Sequence, residues 1–198
     1  MKFARASVED FLSELVLRKI TSYVGDITLS AVDVTGGYGK IKKQIRSYNR
    51  AARSYPFIIL TDLDKAMCPT KLKTDWLYGD QQEESLLFRI VVREIETWLV
   101  ADTINFASFL NISHNHMKLD VELILDPKLY IFSLVNKPRV PREIKRGILP
   151  SDAEARVGPN YNFILGDYIA KKWDIDNARA RSNSLERAIK CFEAFREK

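Results

Sequence analysis

The chain has 198 residues, 46% apolar and 29% charged, with 31 basic against 26 acidic side chains and a net charge of +5. That composition suits one sizeable core, or a core with a small appendage. With 8 Gly, 7 Pro, 2 Cys and 2 His, it excludes collagen-like chains, disulfide scaffolds, Cys-rich zinc sites and most imidazole-rich metal sites. No apolar run approaches the ~18 residues of a membrane helix. Residues 1–10 lack the apolar stretch of a signal peptide. Reducing cytoplasm is the expected compartment, with no membrane partner. The mild basicity permits a nucleic-acid partner without demanding one. No oligomeric state can be read from the sequence.

Lys2 to Val8 reads as a short first strand, and residues 10–22 as a helix, with Phe11, Leu12, Leu15, Val16 and Ile20 on its apolar side. Gly25 and Asp26 stop it. Ile27 to Val34 alternates as a strand. Three glycines, Gly36, Gly37 and Gly39, precede a helix over roughly 40–53. Pro56 to Thr61 is a continuous apolar run, expected of a strand covered on both faces, and it stops at Asp62-Leu63-Asp64. After a loop, Leu86 to Val92 forms a further strand and residues 93–110 a helix. Alternation of this kind predicts an α/β fold: a Rossmann-like, mainly parallel sheet flanked by helices. The core is expected over residues 1–105. From 106 to 198, five prolines punctuate short helical segments, read as a helical extension packed on that core.

Four constellations have the residue types for chemistry. Ligands of open parallel sheets bind beyond the carboxyl ends of the strands. Asp62 and Asp64 end a buried strand there and would face one side if the chain stayed extended, able to share a hard cation. The plainer reading is a polar loop with Asp62 as a cap. Glu9 ends the first strand and so belongs to the same edge, while Asp10 suits the N-cap of the next helix. Glu94 and Glu96 lie about 200° apart on an ideal helix, so both reach one site only if the helix starts late. Glu96 sits among Val92, Leu99 and Val100 and needs a cation, a metal or a backbone donor; an ion pair with Arg93 or Arg89 would be purely structural. The last constellation is the stretch from Gly36 to Arg53. It holds Lys40, Lys42, Lys43, Arg46, Arg50 and Arg53 and no acid. Lys42, Arg46, Arg50 and Arg53 form one stripe. Glycines ahead of a helix let its amides approach an anion, although neither a Walker loop nor the dinucleotide fingerprint is present. A solvated basic face is the plain alternative; the lack of any acid favours phosphate contact.

His114, His116, Cys68, Cys191 and the tryptophans read as exposed or packing residues, since neither cysteine has an evident base beside it.

Together these residues resemble the TOPRIM fold, in which a Glu ends the first strand and an Asp-x-Asp ends a later one. The segments Val8-Glu9-Asp10, Gly36-Gly37-Tyr38-Gly39, Leu60 to Asp64 with Cys68-Pro69, Val92 to Asp102, and Val157 to Tyr161 are similar to a TOPRIM-related bacterial family, domain of unknown function 4276. The resemblance implies a nuclease or related phosphodiester-cleaving protein dependent on Mg²⁺ or Mn²⁺. Glu9, Asp62 and Asp64 would be its metal-binding and catalytic carboxylates, with Glu96 as a further ligand or proton acceptor. Lys40, Lys42, Lys43, Arg46 and Arg50 would hold nucleic-acid phosphates, DNA before RNA. It also implies a phage-defence or mobile-element setting beside a partner ATPase. Asp10 stands where that fold commonly has Gly, and this departure supports the alternative, a non-catalytic module that binds nucleic acid or a partner.

Overall fold

The computed structural model describes residues 1–152 and 154–198. It is an α/β protein with a four-stranded, all-parallel sheet. The chain divides into two compact units: Met1–Val92 with Ser184–Lys198, and Arg93–Asn183. The expected extension over 106–198 is therefore shared between them, since the last helix belongs with the sheet.

In the first unit the order is β1 (Lys2–Val8), α1 (Phe11–Val24), β2 (Ile27–Val34), α2 (Tyr38–Ala51), β3 (Phe57–Asp62), α3 (Pro69–Leu77) and β4 (Leu86–Val91). The strands lie in the order β2-β1-β3-β4. From β1 the chain moves one way to β2, then crosses back to β3 on the other side. Right-handed crossovers in opposite directions put α1 and α2 on opposite faces. Phe57 and Ile59 of β3 share a core with Ile41 and Ile45 of α2, Trp76 of α3 and Phe88 of β4. Ile58 and Leu60, which alternate with them, are equally buried. β3 is buried at all six positions, which is why its sequence is an unbroken apolar run. β2, at the sheet edge, is largely exposed beyond Ile27.

Two features of the sequence reading change. The loop between β3 and β4 contains α3, started by Cys68, whose Sγ accepts the Lys71 amide at 3.4 Å, and by Pro69 in the first turn. The final helix α10 (Asn183–Glu197) is tied into this unit: Ser184 Oγ accepts the Val92 amide at 3.4 Å, and Arg196 donates to the Val24 carbonyl at 2.8 Å.

The second unit is helical: α4 (Ile95–Ala101), α5 (Thr103–Phe109), α6 (Pro127–Val135), α7 (Arg142–Ile148), α8 (Tyr161–Lys171) and α9 (Ile175–Arg179). The single helix expected over 93–110 is broken at Asp102. Its carboxylate caps α5 through the Asn105 amide, and also accepts the Asp174 amide at 2.8 Å and the Tyr168 hydroxyl at 3.3 Å. Asp102 is fully buried, so these bonds decide the chain path. Trp98 and Trp173 fill the core, with the Trp173 indole donating to the Trp98 carbonyl at 3.0 Å.

Gly158 enters α8 through a turn pressed against α7. Its amide donates to the Ile148 carbonyl at 2.9 Å, and a Cβ there would stand 2.4 Å from the Gly147 carbonyl oxygen. The obstacle is backbone and cannot rotate away. Gly158→Ala should cost about 1–3 kcal/mol of stability in urea unfolding. A loss under about 0.5 kcal/mol would show that the turn can open without penalty.

Candidate functional site

The switch point of the sheet lies between β1 and β3, where the strand order reverses, and Glu9 and Asp62 stand on its two sides. Asp10 caps α1 by accepting the Ser13 amide at 2.8 Å, as its position suggested. That leaves Glu9 turned to its neighbours. Its Oε1 accepts the Thr61 hydroxyl and, at 2.9 Å, the Asp62 amide. Its backbone carbonyl accepts the amides of Gly36 at 2.8 Å and Gly37 at 3.0 Å. Thr35 adds a second fastening, its amide donating to the Val8 carbonyl at 2.9 Å. The glycine turn thus spends two amides on the end of β1. Gly37, with φ of 132°, takes a conformation that only glycine adopts readily, and α2 starts directly after it.

Glu9 and Asp62 are both buried. Burial pushes the Glu9 carboxyl up from its ordinary 4.5; the Thr61 and Asp62 bonds oppose the rise, and the charges of Asp64 and Asp10 add to it. Asp64 is placed differently. After β3 the ladder continues for one residue, through the Leu63 amide to the Val91 carbonyl, and then the chain turns left-handed at Asp64, with φ of 48°. The chain does not stay extended, and Asp64 is exposed. The expected cation-sharing set of Glu9, Asp62 and Asp64 is not brought together as three converging carboxylates. Glu9 is already engaged by β3, Asp64 follows the turn, and among the described residues no group of three or more His, Cys, Asp or Glu is placed to hold a metal.

Glu96 lies in the second unit. α4 begins late, at Ile95, with Glu94 as its extended N-cap, so both glutamates reach one cation despite their helical spacing. That cation is Lys128, whose Nζ is 3.0 Å from Glu94 Oε2 and 3.4 Å from Glu96 Oε1. The Tyr161 hydroxyl donates to Glu96 Oε1 at 2.9 Å. Glu96 Oε2 is buried with no hydrogen-bond partner among the described residues. Burial raises the Glu96 carboxyl and prevails over the opposing Lys128 charge. The turn at Gly158 delivers Tyr161 to this carboxyl, a contact that its sequence position does not signal.

On α2, Lys40, Lys42, Lys43, Arg46 and Arg50 are all exposed. Lys40, Lys42 and Lys43 make no ion pair among the described residues. Arg46 and Arg53 do: Arg46 pairs with Asp80 and Arg53 with Glu83, each at 2.8 Å. The stretch is acid-free in sequence but not in space. Lys73, which the sequence reading passed over, has its Nζ 5.4 Å over the Phe88 ring. Burial, with Arg89 nearby, pulls its ammonium down to about 8. His114 shares a hydrogen bond with the Thr103 hydroxyl at 2.8 Å, and both cysteines are free. No helix among the described residues is long and apolar enough to cross a membrane.

Comparison with known proteins found no matching family model, no significantly similar curated protein and no significantly similar solved structure.

A carboxyl whose value is raised on folding binds more protons in the native than in the unfolded state. The stability it contributes is full below pH 4.5 and is lost as pH rises through the folded value. Glu9→Gln keeps an acceptor for Thr61 and Asp62 without the charge. The variant should gain stability relative to the parent as pH rises above the ordinary carboxyl value of 4.5. Parallel denaturant curves for the two chains across that range would show instead that burial of Glu9 has no cost.

Proposed function

We propose that this chain binds the phosphate backbone of nucleic acid, DNA before RNA, along the basic face of α2 beside the β1–β3 edge. The supporting observation is the set Lys40, Lys42 and Lys43, exposed on the first half of α2 and without an ion pair among the described residues. Ammonium groups held on a rigid helix can replace condensed counter-ions along a phosphate backbone, whose release into solution drives association. The helix starts directly after the turn fastened to Glu9, so a strand lying on α2 would pass the edge of the sheet where the winding reverses. By the resemblance in sequence, the setting we propose is a defence or mobile-element system in the cytoplasm, with an ATPase as protein partner.

The test is the anisotropy of labelled DNA titrated with protein at several salt concentrations. Lys42→Glu with Lys43→Glu should weaken binding about tenfold or more at low salt and reduce the salt slope by about 2. An unchanged affinity and slope would remove α2 as the contact surface.

A second reading is Mg²⁺- or Mn²⁺-dependent phosphodiester cleavage. What favours it is the position of Glu9 and Asp62 on the two sides of the switch point, where open α/β sheets place their chemistry. Supercoiled plasmid incubated with either metal should be nicked by the parent chain. Asp62→Ala should slow nicking on the order of 100-fold. Nicking that persists undiminished in that variant, or none by the parent with either metal, rules against this reading.

A further inference from the structure

The second half of α2 carries Arg46 and Arg50, four residues apart and so on one side of the helix, and Arg53 follows in the turn just after its end. They line a cleft of about 360 Å³ together with Asn49, Asp80, Gln81 and Glu83. Its far wall is the segment after α3. Tyr78, with φ of 54°, and Gly79, with φ of 80°, both take left-handed conformations, which end α3 and turn the chain back along α2.

Two different kinds of contact hold this segment. Its backbone is anchored by Asn49, a buried residue of α2. The Asn49 amide donates to the Gln81 carbonyl at 2.9 Å, and its Oδ1 accepts the Glu83 amide at 2.9 Å. Its carboxylates lie outside that anchor. Asp80 Oδ2 is 2.8 Å from Arg46 Nε, and Glu83 Oε1 is 2.8 Å from Arg53 Nε. The Arg46 and Arg53 side chains are 56% and 68% exposed, so solvent screens both pairs and neither adds much to stability. The carboxylates can swing away while Asn49 keeps the backbone in place. Arg50, between the two pairs, has only the Ser47 hydroxyl at 3.5 Å and no carboxylate among the described residues.

The cleft thus presents three guanidinium groups to two carboxylates. Guanidinium binds carboxylate and phosphate through the same forked geometry, so each is a stand-in for the other. We infer that Asp80 and Glu83 are a built-in competitor for phosphate on the arginine row. A polyanion engages Arg50 first, then displaces the two carboxylates from Arg46 and Arg53. The competitor lowers affinity for isolated phosphates, which cannot repay the two lost pairs. It favours a ligand with several linked phosphates that engages the whole row.

This inference rests on the nucleic-acid reading of α2, but Lys42 and Lys43 lie outside the cleft, so the two can fail separately. The experiment is the same DNA titration with the full chain carrying Asp80→Asn and Glu83→Gln. Binding should tighten about 5- to 10-fold at low salt, and the salt slope should steepen by about 1 to 2 as two more arginines reach phosphate. Each single variant should give part of the effect. Glu14→Gln with Asp75→Asn removes the same charge from the exposed pairs on α1 and α3, and should change binding less than twofold. Arg50→Ala should weaken binding in both the parent and the double variant. Equal tightening by the control pair, or no tightening by the cleft pair while the α2 lysine variant is still impaired, overturns the competitor and leaves the nucleic-acid reading standing. Absence of binding by every chain, the cleft variant included, overturns both.

Discussion

One residue holds the reversing edge of the sheet together. Through its side chain Glu9 takes the Thr61 hydroxyl and the Asp62 amide of β3; through its carbonyl it takes the amides of Gly36 and Gly37. Three separate stretches of chain therefore meet at the end of β1. Strands that diverge at a switch point leave a gap where no ladder bond can form. In this protein a buried carboxyl fills that gap with hydrogen bonds of its own. The cost is a carboxyl pushed above its ordinary range by burial, offset in part by its two donors on β3, the Thr61 hydroxyl and the Asp62 amide. The start of α2, and with it the direction of the basic face, follows from the same fastening.

This arrangement changes what the acidic residues can do. One oxygen of the Glu9 carboxyl closes the strand junction, and Asp64 leaves the strand direction through its left-handed turn. Glu9 acts first on structure: it fixes the relative position of β1, β3 and the glycine turn.

Much of this was legible in the sequence, and the exceptions share a cause. Strand and helix periodicity placed β1 to β4, α1 and α2, because each has an apolar pattern set by the layer it packs against. Asp10 as a cap was equally readable, since capping is local. What depended on distant partners was not. α3 has its apolar residues among lysines, and its start signal, Cys68-Pro69, is weak. The break at Asp102 depends on Asp174 and Tyr168, more than sixty residues away. The return of α10 to the sheet unit leaves no mark on its own amphipathic pattern. The acid-free stretch from 36 to 53 was a true statement about sequence that did not carry over to space, because Asp80 and Glu83 come from the far side of α3.

Glu94 and Glu96 show the same limit from the other direction. Ideal helical spacing sets them on different sides, and the late start of α4 removes that objection: an extended Glu94 and a helical Glu96 reach one lysine. A lysine ammonium between two carboxylates satisfies the charge but not the burial, since Glu96 remains raised with one oxygen unpartnered among the described residues. A buried carboxyl of this kind gains from being neutral; the Tyr161 hydroxyl that donates to it favours the ionised form but does not outweigh the burial. The pair Glu9 and Glu96 therefore follow one rule in two separate units. In each, a carboxyl is buried against its ordinary preference and held there by a hydroxyl donor, Thr61 in one and Tyr161 in the other. The difference lies in the second donor. For Glu9 it is a backbone amide, which fixes position without adding charge; for Glu96 it is the half-buried Lys128 ammonium, which Glu94 also pairs. The first arrangement joins strands. The second binds α6 to the start of α4, so that the helical unit is pinned at the residue where its chain begins.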